Sequence, residues 1–173
     1  PTAVAAGDWN GDGKIDLAVT SSDGASVSVL NGSVASPGTF GTARSFATGT
    51  NPAAIVAADL NGDGELDLAS ASWDDNKIAW YRNGGGGRAF TEMPPVSTNA
   101  SAAVSVFAAD LDGDGALDLA VAHGAETVSL LLNDGDGGFA APIGYITPKV
   151  PSSIAAADLN GDAWPDLAVA AGY

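Results

Sequence analysis

Residues 8–17 read DWNGDGKIDL, and this ten-residue pattern returns three more times along the chain. The copies are DLNGDGELDL from Asp59, DLDGDGALDL from Asp110 and DLNGDAWPDL from Asp158, so the four starts lie 51, 51 and 48 residues apart. A regular period of this length is typical of repeat architectures such as propeller blades. The pattern therefore predicts a series of similar structural units.

Short apolar segments flank each copy of the pattern. The segments before it are TAVAAG, PAAIVAA, AVSVFAA and PSSIAAA, and those after it are DLAVT, DLASA and DLAVA twice. A third segment, SVSVLNG, KIAWYRNG or TVSLLLNDG, alternates apolar and other residues at period two, as half-buried strands do. A Gly-rich turn then leads to Phe40, Phe90 or Phe139 and an irregular outer segment. We therefore expect four strands per unit.

These units predict an all-β protein, a β-propeller of four-stranded antiparallel blades. The blades are expected at about residues 1–51, 52–100 and 101–150, with a partial fourth at 151–173, so that three and a half blades are present. Small Ala, Ser and Gly side chains on the sheet faces allow one blade to stack closely on the next. No segment shows a helical period.

Composition narrows the range of partners. The 173 residues fit one domain or a short repeat array, and 46% apolar residues exclude a disordered tail. The sequence contains six Lys and Arg residues and 21 Asp and Glu residues, which give a formal net charge of −15. This charge disfavours nucleic acid and anionic membranes and favours cations. The chain has no Cys, which excludes disulfides and thiolate zinc sites.

No apolar run approaches the 18 residues that a membrane-spanning helix needs, so we expect no membrane insertion. The sequence opens at Pro1 without a basic and then apolar leader. It therefore resembles a mature, processed or excised chain.

The repeated pattern offers only oxygen ligands for a metal ion. In the first copy Asp8, Asn10 and Asp12 stand at positions 1, 3 and 5, Lys14 at position 7 can offer its backbone carbonyl, and Asp16 stands at position 9. Several carboxylates in an oxygen-only set favour Ca²⁺ over Mg²⁺ or Zn²⁺. The sequence predicts up to four Ca²⁺ ions, which stabilise the hairpins. The equivalent ligands in the other copies are Asp59, Asn61, Asp63, Glu65, Asp67, Asp110, Asp112, Asp114, Ala116, Asp118, Asp158, Asn160, Asp162, Trp164 and Asp166.

The loops differ from an EF-hand and from one another. Position 12 carries Val or Ser in place of a bidentate Glu, and strands flank the loop. The third loop has four carboxylates and is expected to bind most strongly. The fourth has Ala163 where the other three have Gly, and Ala costs about 1 kcal/mol there if φ is positive. We therefore expect the fourth site to be the weakest.

The Asp-rich loops and the Asn-Gly to Phe turns downstream of them resemble FG-GAP repeats, the calcium-binding blades of integrin-alpha-type propellers. The resemblance covers essentially the whole chain and implies a seven-bladed propeller, secreted or on the cell surface, whose calcium loops join the first two strands of each blade. Ala163 and the blade count depart from the family pattern. Because three and a half blades cannot close a seven-bladed ring, the remaining blades of a longer chain or copies of this chain are expected partners.

Other candidate residues can be interpreted either as structural or as functional. His123, the only His, fits a blade-end turn or a catalytic base. Asp134 and Asp136 fit a hairpin turn or a further cation site. Trp73, Trp80, Tyr81 and Trp164 fit blade packing or stacking on a sugar ring, with Trp73 and Trp164 the better lectin candidates. Asn31 in NGS and Asn99 in NAS match the N-glycosylation pattern.

These features predict an extracellular, calcium-binding, non-catalytic scaffold for adhesion or for binding a protein or glycan. The sequence contains no Gly-x-Ser-x-Gly elbow, P-loop or His-Glu-x-x-His motif. One alternative is a carbohydrate-active enzyme, a lyase or hydrolase, on the same blades. Another is a structural subunit of an extracellular assembly or fibre, whose open edges mate with copies of the chain.

Overall fold

The structure of the protein is a computed structural model, and it describes residues 1–86 and 89–172. These residues contain fifteen β-strands, all paired antiparallel, and no helix. Accordingly, no described helix is long and apolar enough to cross a membrane. The all-β prediction is confirmed.

The first blade is a sheet whose four strands follow one another in chain order. Its Asp-rich loop joins the first two strands, and the strand register places Gly7 opposite Asp16 at the mouth of that loop. The loop therefore lies in the hairpin where the sequence predicts it. The strands are β1 (Val4–Gly7), β2 (Asp16–Ser21), β3 (Ser26–Leu30) and β4 (Arg44–Ala47).

The second blade has the same order and a divided outer edge. Its strands are β5 (Pro52–Ala58), β6 (Asp67–Ser72), β7 (Lys77–Asn83), β8 (Phe90–Glu92) and β9 (Val96–Ser97). Both β8 and β9 pair with β7, where the sequence predicts a single fourth strand. Pro94 and Pro95 lie between them. Because proline has no amide hydrogen for the ladder, the outer strand is split at this point.

The third blade repeats the four-stranded order, and the fourth consists of its first two strands. Each of the four sheets lies within one predicted repeat unit; the unit boundaries themselves stay a prediction. The strands are β10 (Ala103–Ala109), β11 (Asp118–His123), β12 (Thr127–Leu131), β13 (Ile143–Ile146), β14 (Pro151–Ala157) and β15 (Asp166–Ala171).

The blades stack face to face, and their first strands contact one another in the order β1, β5, β10 and β14. Three apolar cores fill the spaces between the blades. Trp9 and Tyr81 lie in the core between blades one and two, Trp80 and Leu131 in the next, and Ile154 in the third. Because the strand order repeats, all four Asp-rich loops lie at the same edge of the stack.

Burial along the second strands shows which blades are covered on both faces. All residues of β6 and β11 are buried, whereas those of β2 alternate between buried and half-buried. In β15 none is fully buried. The first and fourth blades therefore each present one open face.

Candidate metal centre

Backbone amides hold the position-1 aspartate of every loop in the same way. One of its carboxylate oxygens accepts a hydrogen bond from the N–H of position 6. This contact closes the loop into a tight turn whose short side chains project from successive bends. The donor and acceptor pairs are Gly13 and Asp8 (2.7 Å), Gly64 and Asp59 (2.8 Å), Gly115 and Asp110 (3.0 Å), and Ala163 and Asp158 (3.0 Å).

The position-5 aspartate also accepts a hydrogen bond from the loop backbone. Its Oδ1 accepts the N–H of the position-7 residue in all four loops, so the predicted position-7 residues lie against the carboxylates at position 5. That their carbonyls bind a metal stays a prediction. The pairs are Lys14 and Asp12 (2.9 Å), Glu65 and Asp63 (2.9 Å), Ala116 and Asp114 (2.8 Å), and Trp164 and Asp162 (2.9 Å).

The position-3 residues also face into the loops. Asn10 and Asn160 each accept, through Oδ1, the N–H of the position-5 aspartate at 2.9 Å. Asp112 does the same at 3.2 Å, and Asn61 at 3.3 Å. Each loop therefore gathers the side chains of positions 1, 3 and 5 around its own backbone.

The position-9 aspartates have a structural role that sequence reasoning did not assign. Asp16, Asp67 and Asp118 are completely buried. Asp67 accepts the N–H of Leu60 at 3.0 Å and that of Asn83 at 2.8 Å, so one carboxylate joins the loop to the end of the third strand. Asp16 and Asp118 make the equivalent pairs of bonds.

Burial changes the acidity of these carboxyl groups. Desolvation is the largest effect, and it raises the pKa of Asp67 to about 6 from 3.8. The backbone hydrogen bonds oppose this shift, while the nearby charges of Asp59 and Asp63 reinforce it. The pKa values of Asp16 and Asp118 are raised by the same combination. A divalent cation among these groups would favour their charged forms.

The donor set of the third loop fits a calcium ion. Asp110, Asp112 and Asp118 each offer a carboxylate oxygen, and these oxygens lie within 4.8 Å of one another. Among the described residues, no other group of three acidic or metal-ligating side chains meets this spacing. Hard oxygen ligands, a flexible Gly-rich backbone and no nitrogen or sulfur donor are the properties that calcium selects.

The fourth loop carries the backbone strain that its sequence predicts. Ala163 has a φ of 71°, in the left-handed region that the equivalent glycines occupy. Asp158 nevertheless keeps the common geometry, and the backbone amide of Gly161, followed by that of Ala163, lowers its pKa. Its position-9 partner, Asp166, is only half-buried.

Asn83 and Asn133 form contacts between blades that sequence reasoning missed. The side-chain amide of Asn83 donates to the Trp9 carbonyl in the preceding blade at 2.9 Å, and that of Asn133 donates to the Leu60 carbonyl at 2.8 Å. Each asparagine side chain also donates a hydrogen bond to a backbone carbonyl of its own blade. The recurrence of Asn at the end of the third apolar segment was the available signal. In the first blade Gly32, the residue after Asn31, takes the position of Asn83 and Asn133, because its N–H donates to Asp16 and it pairs with Phe40.

The aromatic candidates divide into buried and exposed pairs. Trp80 and Tyr81 are buried in the cores between blades. Trp73 is 43% exposed and Trp164 is 55% exposed, so both present aromatic surface to solvent. The Trp164 ring lies on Gly113 of the third loop, where a Cβ atom would find no room. This contact joins the third and fourth loops.

The remaining candidates lie as follows. His123 is fully buried at the end of β11. Asp134 accepts the N–H groups of Asp136 and Gly138, which makes it part of the turn after β12. Asn99 is exposed and Asn31 is half-buried, and their glycosylation stays a prediction.

Known proteins share both the repeat and the fold. The family description FG-GAP-like repeat matches residues 8–70, 59–121 and 110–169, in overlapping pairs of blades. The chain belongs to the FG-GAP-like repeat family. This membership confirms the family that the loops resemble. No curated protein matches the chain.

Solved structures confirm the propeller fold of this FG-GAP-like chain. BBS1N, in a crystal structure of its complex with ARL6DN, aligns with a TM-score of 0.65 at 18% identity over 97% of the chain. The chain spans about half of BBS1N, 46% of its length. A lectin of Agrocybe aegerita, solved to explain its specific recognition of non-reducing terminal N-acetylglucosamine, aligns with a TM-score of 0.53 at 19% identity. The alignment covers 84% of this chain and 38% of the lectin.

Proposed function

We propose that this chain is part of an extracellular, calcium-stabilised β-propeller, of seven blades when complete, that binds a protein or glycan and performs no catalysis. One observation carries the calcium part of this proposal. Four loops repeat the same arrangement of inward oxygens and backbone amides at one edge of the stack. Turns that only reverse the chain do not need a carboxylate at positions 1, 5 and 9 in every copy.

Calcium binding would offset the electrostatic cost of gathering several carboxylates in each loop. Each of the first three loops closes on a buried aspartate whose protein partners are backbone amides. Burial raises the pKa of this aspartate, and other carboxylates of the same loop reinforce the shift. A divalent ion held by positions 1, 3, 5 and 9, and by the position-7 carbonyl, would neutralise this cluster. With free calcium tenfold above Kd, each site would add about 1.4 kcal/mol to the free energy of unfolding.

Calorimetric titration of chelator-treated protein with Ca²⁺ tests this role. We expect up to four bound ions and a large rise in the melting temperature. Asp112→Asn should weaken the third site, whereas Asp23→Asn, which removes the same charge from an exposed position outside the loops, should leave calcium binding unchanged. Melting curves that coincide with and without calcium would refute the proposal.

Extracellular placement is part of this proposal, and the affinity of the loops for calcium tests it. Calcium loops of extracellular modules have Kd values of about 0.1 to 1 mM, which only extracellular calcium saturates. A measured Kd in this range would support the placement. Submicromolar affinity would argue for a site that fills inside cells.

Binding of a protein or glycan is supported by the fold and by exposed aromatic surface. The similar solved structures include one in complex with a protein and one that recognises a sugar. Propellers host many functions, so the site itself must supply the specificity. Trp73 and Trp164 present rings that suit stacking on a sugar, and the Trp164 ring packs on Gly113 of the third loop.

Tryptophan fluorescence during titration with N-acetylglucosamine and its oligosaccharides tests whether the chain binds a glycan. A response lost in Trp164→Ala but kept in Trp73→Ala would place the sugar at the fourth loop, and the reverse would place it at Trp73. No response from the wild type would leave a protein as the ligand class. Release of shortened sugars during the titration would instead support the carbohydrate-active alternative.

A further inference from the structure

An apolar groove lies at the outer edge of the stack, between blades two and three. Its volume is about 520 Å³, which is within the range of ligand pockets. One wall is the divided outer strand of blade two, and the other is the turn after β12 of blade three. Both blades have all their strands. The apolar side chains at the surface of this rim groove include Met93, Pro94, Pro95, Val96 and Phe139.

The rim groove exists because a smaller side chain replaces a larger one at one register position. In blade one, Phe46 pairs with Val27 and packs edge-on against Phe90 of blade two, with ring centres 5.7 Å apart. In blade two, Val96 pairs with Ile78. These two pairs are equivalent, since Val27 and Ile78 each lie opposite the fifth residue of their second strand. The space that Phe46 fills at the first interface is therefore left open at the second.

This space leaves the phenylalanine of blade three partly uncovered. Phe90 is 8% exposed, whereas its equivalent Phe139 is only half-buried. Trp80 forms the floor of the rim groove, with its ring centre 6.3 Å from that of Phe139. Met93 packs at the side and is also half-buried. A flexible methionine beside an aromatic ring suits an incoming apolar side chain.

The edge of the rim groove favours recognition of side chains over addition of a strand. Pro94 and Pro95 are exposed and lie between β8 and β9. Because proline has no amide hydrogen, an added strand could not pair along this part of the edge. The occupant must therefore bind through its side chains.

The charge at the rim groove indicates what else the occupant carries. Asp136 is the only charged residue among the described residues that line it. Asp136 is exposed, and its carboxylate has no hydrogen bond or ion pair within the described part of the chain. The whole chain has a formal net charge of −15. A basic group on the occupant would complement this charge.

We infer that the rim groove binds a segment of a partner protein in which a bulky apolar side chain lies close to a Lys or Arg residue. The apolar side chain enters beside Phe139, where the first interface holds Phe46, and the basic group pairs with Asp136. This inference rests on the proposed binding of a protein, and it adds the site and the chemistry of the partner. None of the proposed calcium ligands takes part in it.

Selection of random displayed peptides on the calcium-loaded chain tests the inference. We expect the enriched peptides to carry Leu, Phe or Trp within a few positions of Lys or Arg. Val96→Phe restores the side chain that blade one has at this register position and should close the rim groove. Fluorescence anisotropy should then show synthetic copies of these peptides binding at least about tenfold more weakly. The melting temperature should stay the same or rise, because the substitution fills a cavity.

Two further variants, each with a matched control, test the charge and the edge. Asp136→Asn should weaken peptide binding about two- to fivefold, and less at high salt, whereas Asp23→Asn removes the same charge at an exposed position elsewhere and should have no effect. Pro95→Arg places a bulky cation at the exposed edge and should weaken binding by repelling the basic group. Pro37→Arg, at another exposed proline, should bind the peptides like the wild type.

Several outcomes would overturn the inference. No enrichment, or enriched peptides without a basic residue, would do so. Peptides that bind Val96→Phe and Pro95→Arg as tightly as the wild type would keep a protein as the ligand class and remove this site. A sugar response lost in Val96→Phe would make the rim groove a glycan site, and self-association lost in that variant would give it to a second copy.

Calcium titration of the same variants separates this inference from the proposed function. Val96→Phe, Pro95→Arg and Asp136→Asn should bind calcium like the wild type, because none of them changes a loop ligand. Peptide binding at the rim groove by a chain whose loops bind no calcium would refute the calcium role and support the inference. Normal calcium binding without peptide enrichment would do the opposite.

Discussion

The side-chain amide of Asn83 donates a 2.9 Å hydrogen bond to the carbonyl of Trp9, across the boundary between the first two blades. Both residues are buried, at 1% and 0% exposure. The bond links the end of one third strand to the Asp-rich loop of the preceding blade. Stacking of the blades and closure of the loops are therefore coupled through one asparagine.

Replacing this asparagine should cost stability without changing the loop sequence. Asn83→Ala leaves the buried Trp9 carbonyl without its donor, and such a loss costs about 1 to 3 kcal/mol. Denaturant unfolding in calcium measures the change. Asn31→Ala is a control of the same chemistry, because the half-buried Asn31 side chain follows the third strand of the first blade and has no hydrogen bond within the described part of the chain. Its effect should stay within about 0.5 kcal/mol, and equal effects of the two variants would refute the coupling.

Ala163 and Gly13 occupy the same loop position with similar backbone angles, at φ values of 71° and 77°. Ala163→Gly should raise the free energy of unfolding by about 1 kcal/mol, because glycine adopts this region without steric cost. Gly13→Ala should lower it by a similar amount. A Cβ atom at Gly13 would meet no described atom within 4 Å, so the loss reports backbone strain rather than a clash.

Thermal and denaturant unfolding of both variants, in calcium and in chelator, checks this pair. The two effects should have opposite signs and similar sizes. If Ala163→Gly were neutral or destabilising, strain would not distinguish the fourth loop from the others, and the expectation that its site is weakest would lose its physical basis.

The repeat explains why the sequence predicts so much of this fold. The segments PAAIVAA, AVSVFAA and PSSIAAA coincide with β5, β10 and β14. Each lies directly before an Asp-rich loop, so local pattern and turn chemistry agree on where the strand ends. The split outer strand of the second blade was not predicted, although Pro94 and Pro95 are visible in the sequence. Outer segments lack a strong alternation, and pattern alone did not define their pairing.

Contacts between blades were harder to predict than contacts within them. The sequence identifies Asp67 as a metal ligand through its carboxylate oxygen. The burial of Asp67 depends on how the third strand returns to the loop. Asn83 ends β7 next to a Gly-rich turn, where asparagine usually serves the local backbone. Its role across the blade boundary requires the stacking geometry, which no single repeat contains.

Asp67 should make the calcium-free protein more stable as the pH falls. Its folded-state pKa of about 6 lies above its ordinary value of 3.8, so the folded chain holds the proton more tightly than the unfolded chain. The resulting contribution is fully present below pH 3.8 and is lost as the pH rises through 6. Calcium should reverse the trend, because a metal ligand must lose its proton.

Unfolding of metal-free wild type and Asp67→Asn across this pH range isolates the effect. The asparagine keeps one acceptor oxygen and does not titrate, so the difference in unfolding free energy between the two proteins should shrink as the pH rises. His123, whose contribution has the opposite sign, is present in both proteins and cancels. A difference that stayed constant with pH would show that burial does not govern the acidity of Asp67.

Protonation of His123 should lower the free energy of unfolding at acidic pH. The ring is fully buried, and within the described residues neither of its nitrogens has a hydrogen-bond partner. Burial lowers its pKa from 6.5, and the backbone of Ser101 offsets this shift only in part. The folded chain therefore holds the neutral form. Its contribution to stability is present above pH 6.5 and is lost as the pH falls through the lowered folded-state pKa.

His123→Leu removes the titrating group and keeps an apolar side chain in the same space. We expect the variant to gain stability over the wild type progressively as the pH falls below 6.5. Thr127→Val is the matched control, since Thr127 pairs with His123 across the sheet and its buried hydroxyl also has no described partner. This control does not titrate, so its offset from the wild type should be independent of pH. If both variants gave the same pH profile relative to the wild type, charging of the imidazole would not be the cause of acid sensitivity.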